Sequence, residues 1–112
     1  MQQEFKDKVV VVTGGANGIG KCIAEQFAKN GSQVCVIDKV PGSHYVGDIA
    51  DKCVIESFVE HIAGRYGRVD YIINNALPIM KGIDDCSYED FQYALSVGVA
   101  APFYLVKLLR PY

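Results

Sequence analysis

Residues 9–20 read Val9-Val10-Val11-Val12-Thr13-Gly14-Gly15-Ala16-Asn17-Gly18-Ile19-Gly20, a β-branched run that passes through spaced glycines into a helical pattern. Strand, glycine turn and helix in that order make the layout of a turn that holds a dinucleotide diphosphate. Gly14 lets the chain leave the strand sharply, Gly18 removes a Cβ where the diphosphate approaches, and Gly20 lets the helix lie close on the sheet. The first N–H groups of the helix lack acceptors within it and would face the phosphates. The same residues nearly spell a P-loop, since Gly15, Gly20 and Lys21 fit G-x-x-x-x-G-K. Cys22 then stands where a hydroxyl should bind Mg²⁺, and a thiol is a poor ligand for a hard cation. The plain alternative is a glycine turn with no ligand.

Outward from this turn the chain alternates strand and helix signals. Lys8 to Thr13 is a buried strand, and Ile19, Ile23 and Phe27, with Gly20, Ala24 and Ala28 beside them, form a helix face that packs on it. Asn30-Gly31 stops that helix. Gln33 to Asp38 is a second strand, Pro41-Gly42-Ser43 breaks the chain, and His44 to Gly47 is a short third strand. Asp51 caps a helix with apolar positions at Val54, Ile55, Phe58, Val59, Ile62, Ala63 and Tyr66, ended by Gly67. Val69 to Asn74 is a fourth strand. Ser87-Tyr88-Glu89-Asp90 has the form of a capping box, and Phe91, Leu95, Val99, Phe103, Val106 and Leu109 carry the last helix, with a kink expected at Pro102. Strands separated by helices imply right-handed crossovers and a parallel sheet covered on both faces, half of a Rossmann-type doubly wound α/β fold. No repeat, low-complexity segment or linker divides residues 1–112, which read as one domain.

With half of its 112 residues apolar, the chain can bury a real core. Its 11 basic and 13 acidic residues leave a net charge of −2 without long runs, so the electrostatics favour neither nucleic acid nor an anionic membrane. The partner is expected to be a small molecule. Met1-Gln2-Gln3-Glu4 is polar and no apolar run approaches bilayer length, so neither a signal peptide nor a transmembrane span is expected and the chain reads as cytoplasmic. Cys22, Cys35, Cys53 and Cys86 form no C-x-x-C pair and read as small hydrophobes. His44 and His61 have no metal-ligand spacing, so no metal site is expected.

Asp38 ends the second strand, 18 positions beyond Gly20. A carboxylate there can accept both hydroxyls of an adenosine ribose and would repel a 2′-phosphate, which favours NAD over NADP. Lys39 weakens the repulsion slightly.

The spacing G-x-x-x-G-x-G with Thr13 in front resembles the cofactor loop of the short-chain dehydrogenase/reductase family. Asn17 occupies the loop position where NADP-preferring relatives often carry Arg or Lys. Gly47-Asp48-Ile49 is similar to that family's Asp-aliphatic pair, where the carboxylate meets the adenine amino group. Asn74-Asn75-Ala76 is similar to its N-N-A-G signature, which steadies the sheet and lines the adenosine side of the cofactor. The resemblance implies strand order 3-2-1-4 for this portion. It assigns Gly14, Asn17, Gly18, Ile19 and Gly20 to the diphosphate and nearby ribose, Asp38 to the adenosine ribose, Asp48 and Ile49 to the adenine, and Asn75 and Ala76 to the adjoining wall.

Three departures bear on activity. Leu77 replaces the glycine of N-N-A-G, and Gly98 falls where the family places a catalytic Asn. The family's catalytic Ser and Tyr-x-x-x-Lys are not found, since none of the seven tyrosines is followed by Lys four positions on. The expectation is the N-terminal, cofactor-binding portion of an NAD-dependent oxidoreductase, broken off after the fourth strand and its helix. The complete form would move a hydride between nicotinamide and an alcohol or ketone, and the resemblance implies that the helix from Ser87 to Leu109 belongs to the surface that pairs subunits in a homo-oligomer. The alternative is a non-catalytic NAD-binding sensor or regulatory module.

Overall fold

The computed structural model describes residues 2–112. A short helix α1 (Gln2–Phe5) precedes strand β1 (Val9–Thr13), helix α2 (Gly18–Lys29), strand β2 (Gln33–Asp38), strand β3 (Tyr45–Val46), helix α3 (Lys52–Arg65) and strand β4 (Tyr71–Asn74). Helix α4 (Tyr88–Leu95) then runs through a π-helical turn (Ser96–Ala100) into helix α5 (Ala101–Leu109). Among the described residues the sheet has the order β3-β2-β1-β4, all parallel, as the strand-helix alternation requires.

Strand β1 is central and buried along its whole length, which explains its unbroken β-branched composition. On one face Val11, Cys35 and Ile37 pack with Ile55, Phe58 and Ile62 of α3 and Leu105 of α5; on the other, Val10, Val12 and Val36 pack with Ala24 of α2. Burial among apolar neighbours pushes the Cys35 thiol up to about 11, so it behaves as a core hydrophobe. At the base of the sheet Phe5, Phe27 and Tyr71 stack within 5.9 Å of one another, giving the N-terminal turn an anchor that the polar start of the chain did not suggest. Asp70 fixes the entry of β1 by accepting the Val9 N–H at 2.8 Å while Arg68 donates to its other oxygen.

The local stop and start signals act as read. Asp51 accepts the Cys53 N–H at 2.8 Å, Ser87 and Asp90 exchange the two bonds of a capping box, and Gly31 and Gly67 take the positive φ values that end α2 and α3. Several expectations need correction. Strand β3 keeps only Tyr45 and Val46, and His44 lies outside it, where its Nδ1 accepts the Val36 N–H at 3.0 Å. Strands β1 and β4 begin at Val9 and Tyr71, not at Lys8 and Val69. Ile19 is 75% exposed, so it is no part of the packing face of α2. The irregularity expected at Pro102 sits upstream of it, where Ala101 N–H donates to Ser96 O, five residues back.

Apart from Leu109, which is buried as expected, the last helix buries a different stripe from the one expected. Ala94, Val97, Ala101, Leu105 and Leu109 face the core, while Phe91, Leu95, Val99, Phe103 and Val106 are exposed. Small residues at 94 and 101 let the helix approach closely, which the bulkier row would not allow. Because both rows are apolar, Tyr88–Leu109 is long and apolar enough to cross a membrane by length and composition, which corrects the expectation that no apolar stretch approaches bilayer length. Its inner row packs within this domain's core.

Candidate functional site

The register pairs Thr13 with Ile37 on one side and with Asn74 on the other, so β1 and β4 end level and β2 runs one residue further, to Asp38. The glycine turn leaves from that edge. Gly14, at φ 66°, donates its N–H to Ile37 O at 2.9 Å, and a Cβ there would lie 2.8 Å from Ala76 Cα. The buried Thr13 hydroxyl accepts the N–H groups of Asn75 and Ala76 at 3.1 and 3.0 Å, which fastens the chain leaving β4 to the turn leaving β1. The Asn75 amide donates to Gly14 O at 2.9 Å. Gly20 serves this tie more than the packing of α2 on the sheet, since a Cβ at position 20 would stand 2.2 Å from Asn75 Nδ2 and 2.6 Å from Gly14 O.

Gly18 differs from the other two. It sits at φ 58° with none of the described atoms within 4 Å of a Cβ built on it, so the turn is open on that side. Asn17, the residue before α2, has extended backbone and makes no side-chain cap. The first N–H groups of α2 are therefore left without a capping oxygen, with the positive end of the helix dipole behind them. This arrangement suits a diphosphate: open space, uncapped donors and partial positive charge coincide.

A cleft of about 580 Å³ lies over the strand ends, and every residue that the resemblance assigns to the cofactor lines it except Gly18 and Gly20. Asp38 stands at its rim, where one oxygen accepts the Ala16 N–H at 3.1 Å and the other the Val40 N–H at 3.2 Å. The Ala16 donor is thus spent within the protein. Lys21, the cation of the P-loop alternative, lines a separate depression with Glu25 and His44, which leaves that reading without its lysine in the cleft.

Two cleft residues escaped the sequence reading or were underweighted by it. Tyr93 of α4 donates its hydroxyl to Asp48 Oδ2 at 2.7 Å, and Lys39 Nζ donates to the same hydroxyl oxygen at 3.1 Å. Partial burial, and after it the bond to Asp48, raises the Tyr93 phenol above its usual range; the bond to Tyr93 likewise raises the Lys39 ammonium. The available signal was the position of Tyr93 one helical turn before the buried Val97, but the partner lies 45 residues away. Gly98 lies on the π-helical turn, and a Cβ there would meet Pro78 Cδ at 3.9 Å, ordinary van der Waals contact. No cluster of metal-ligating side chains occurs among the described residues.

A family sequence profile described as short chain dehydrogenase matches residues 8–112. Among curated proteins the chain is 34% identical over 113 residues to momilactone A synthase of Oryza sativa subsp. japonica, covering 86% of this chain and 41% of that one. Ligand-free aldohexose dehydrogenase of Thermoplasma acidophilum is similar in structure, with TM-score 0.85 and 29% identity over 97% of this chain and 45% of that one. L-Sorbose reductase of Gluconobacter frateurii, solved with NADPH and L-sorbose, gives TM-score 0.83 and 27% identity over 95% and 47%. The chain spans about half the length of the curated relatives it matches.

Proposed function

Because the chain belongs to the short-chain dehydrogenase family, we propose that it is the dinucleotide-binding portion of an oxidoreductase acting on a small alcohol or ketone. The observation that carries this reading is the uncapped start of α2, with open space at Gly18, beside a cleft edged by Asp38 and Asp48. The N–H groups of Gly18, Ile19 and Gly20 would hold the diphosphate, and Asp38 the adenosine ribose. Asp48 would accept from the adenine amino group, with Ile49, Asn75 and Ala76 as the wall. Nicotinamide, when bound, supplies the hydride chemistry.

We assign NAD as the preferred cofactor. Asp38 supports this, because a second negative group at the ribose 2′ position would face its carboxylate. Lys39 works in the opposite direction, and the L-sorbose reductase structure contains NADPH. Calorimetric titration with NAD, NADP, ADP-ribose and nicotinamide mononucleotide tests the assignment. Binding of NAD and ADP-ribose with weaker NADP supports it; binding of none of them overturns it.

Gly98 favours a second reading, a non-catalytic nucleotide-binding module, because a glycine offers no carboxamide where the family places one. Since residues 1–112 contain no Tyr-x-x-x-Lys, a dehydrogenase assay over a panel of alcohols on the parent oxidoreductase that the first reading proposes separates the two. The exposed row Phe91, Leu95, Val99, Phe103 and Val106 supports a homo-oligomer in which a second copy covers it. The four free thiols suit a reducing compartment such as the cytoplasm.

A further inference from the structure

The end of β2, the loop after β3 and helix α4 meet at one rim of the cleft through Lys39, Asp48 and Tyr93. Asp48 Oδ1 accepts the Ala50 N–H at 2.9 Å within its own turn. That local bond is set by the backbone, so Oδ2, which Tyr93 holds at 2.7 Å, is the oxygen able to change partners. Building on the cofactor reading above, we propose that Tyr93 sets the selectivity of the adenosine end of the cleft by competing with the nucleotide base for Asp48. A base that offers an amino group must displace the Tyr93 hydroxyl from this oxygen. A base without a donor at that position leaves the hydroxyl in place.

The Tyr93 bond is exposed to water at the rim, so exchanging it is inexpensive, yet it still opposes every adenine nucleotide by the modest net value of one solvent-exposed hydrogen bond. Lys39 is part of the same device. It steadies the phenol from the opposite side, so Tyr93 holds its place through two bonds.

The test compares the protein with its Tyr93→Phe variant, which keeps the ring and removes only the hydroxyl, in calorimetric titrations with ADP and with 6-chloropurine riboside 5′-diphosphate. The chloro compound keeps the ring and phosphates but has no amino donor. Tyr93→Phe is expected to tighten ADP about three- to tenfold and to leave the chloro analogue within about twofold, the range for one net hydrogen bond. An unchanged or weaker ADP affinity, or equal tightening of both ligands, overturns the inference while leaving the cofactor reading intact. Failure of both proteins to bind ADP or NAD overturns the cofactor reading and this inference with it. An unchanged thermal midpoint for Tyr93→Phe ensures that affinity, and not folding, is compared.

Discussion

Asp38 and Ala16 are joined across the mouth of the glycine turn: Asp38 Oδ2 accepts the Ala16 N–H at 3.1 Å, so the end of β2 holds the turn that β1 sends out. The carboxylate therefore has two tasks in the proposed site, to fix the turn and to meet the ribose. Asp38→Ala removes both. NAD binding is expected to weaken by about 1.5–3 kcal/mol from the lost charge-assisted bonds. NADP should lose less, since its 2′-phosphate is freed from the carboxylate. The check is the ratio of the two affinities by calorimetry, and a ratio that does not change removes Asp38 from cofactor choice.

Gly18 and Gly20 are two positions apart and should fail for different reasons. A Cβ at 20 collides with Asn75 Nδ2 and Gly14 O, at 2.2 and 2.6 Å, and one of these is backbone. Gly20→Ala is therefore expected to cost about 1–3 kcal/mol of stability, as overpacking does, and to loosen the junction of β1 with the chain after β4. At Gly18 the space is empty and only the φ of 58° resists a side chain, at about 1–2 kcal/mol. Gly18→Val should keep the helix content seen by circular dichroism while abolishing nucleotide binding. A variant that binds NAD normally would mean that the turn is not the phosphate site.

Local chemistry was legible in the sequence because it depends on neighbours. The β-branched run of β1, the Asp51 and Ser87 caps and the glycines after α2 and α3 each act within a few residues. The tie from Asn75 to Gly14 spans 61 residues and that from Tyr93 to Asp48 spans 45, so no local pattern announces either. The buried face of α5 was hidden for another reason. Two apolar stripes of similar length compete on that helix, and the choice falls to the row with small residues because α3 and β1 must come close.

Asp70 gives a pH dependence with a definite sign. The Arg68 hydrogen bond, with the Val9 N–H as a further contributor, holds its carboxyl below the usual carboxylate range in the folded protein. A group depressed on folding stabilises above its unfolded value, about 3.9, and this contribution disappears as pH falls through the folded value. The stability difference between the protein and Asp70→Asn, from urea midpoints, should be greatest at neutral pH and shrink progressively below about pH 4. A difference that is flat from pH 7 to pH 2 would show that Asp70 acts on β1 without its charge.

The outer row of α4 and α5 bears on assembly. Leu95 and Phe103 are 46% and 65% exposed, so charged replacements there displace nothing from the core. The double variant Leu95→Glu/Phe103→Glu should keep its thermal midpoint within about 1 kcal/mol of stability, the usual range for surface changes. Sedimentation should show it shifted from oligomer to monomer. An oligomer that persists unchanged would place the subunit contact elsewhere.

Gly98 offers the last test, because it separates what the fold allows from what the chain does. Outside its own helix backbone, the nearest described atom to a Cβ at 98 is Pro78 Cδ, at 3.9 Å, and the position carries no positive φ, so a Cβ there meets neither a clash nor backbone strain. Glycine is about 1 kcal/mol poorer than alanine within a helix, and asparagine is less poor than glycine. Gly98→Asn is therefore expected to leave the thermal midpoint unchanged or slightly raised. If this portion belongs to an oxidoreductase that works without the carboxamide, restoring it in that parent protein should raise kcat with little change in KM for NAD. If it is a nucleotide-binding module, the same variant should be equally stable and still without turnover. A marked loss of stability would instead mean that the π-helical turn depends on the glycine, and that residue 98 was selected for backbone shape and not for the absence of a side chain.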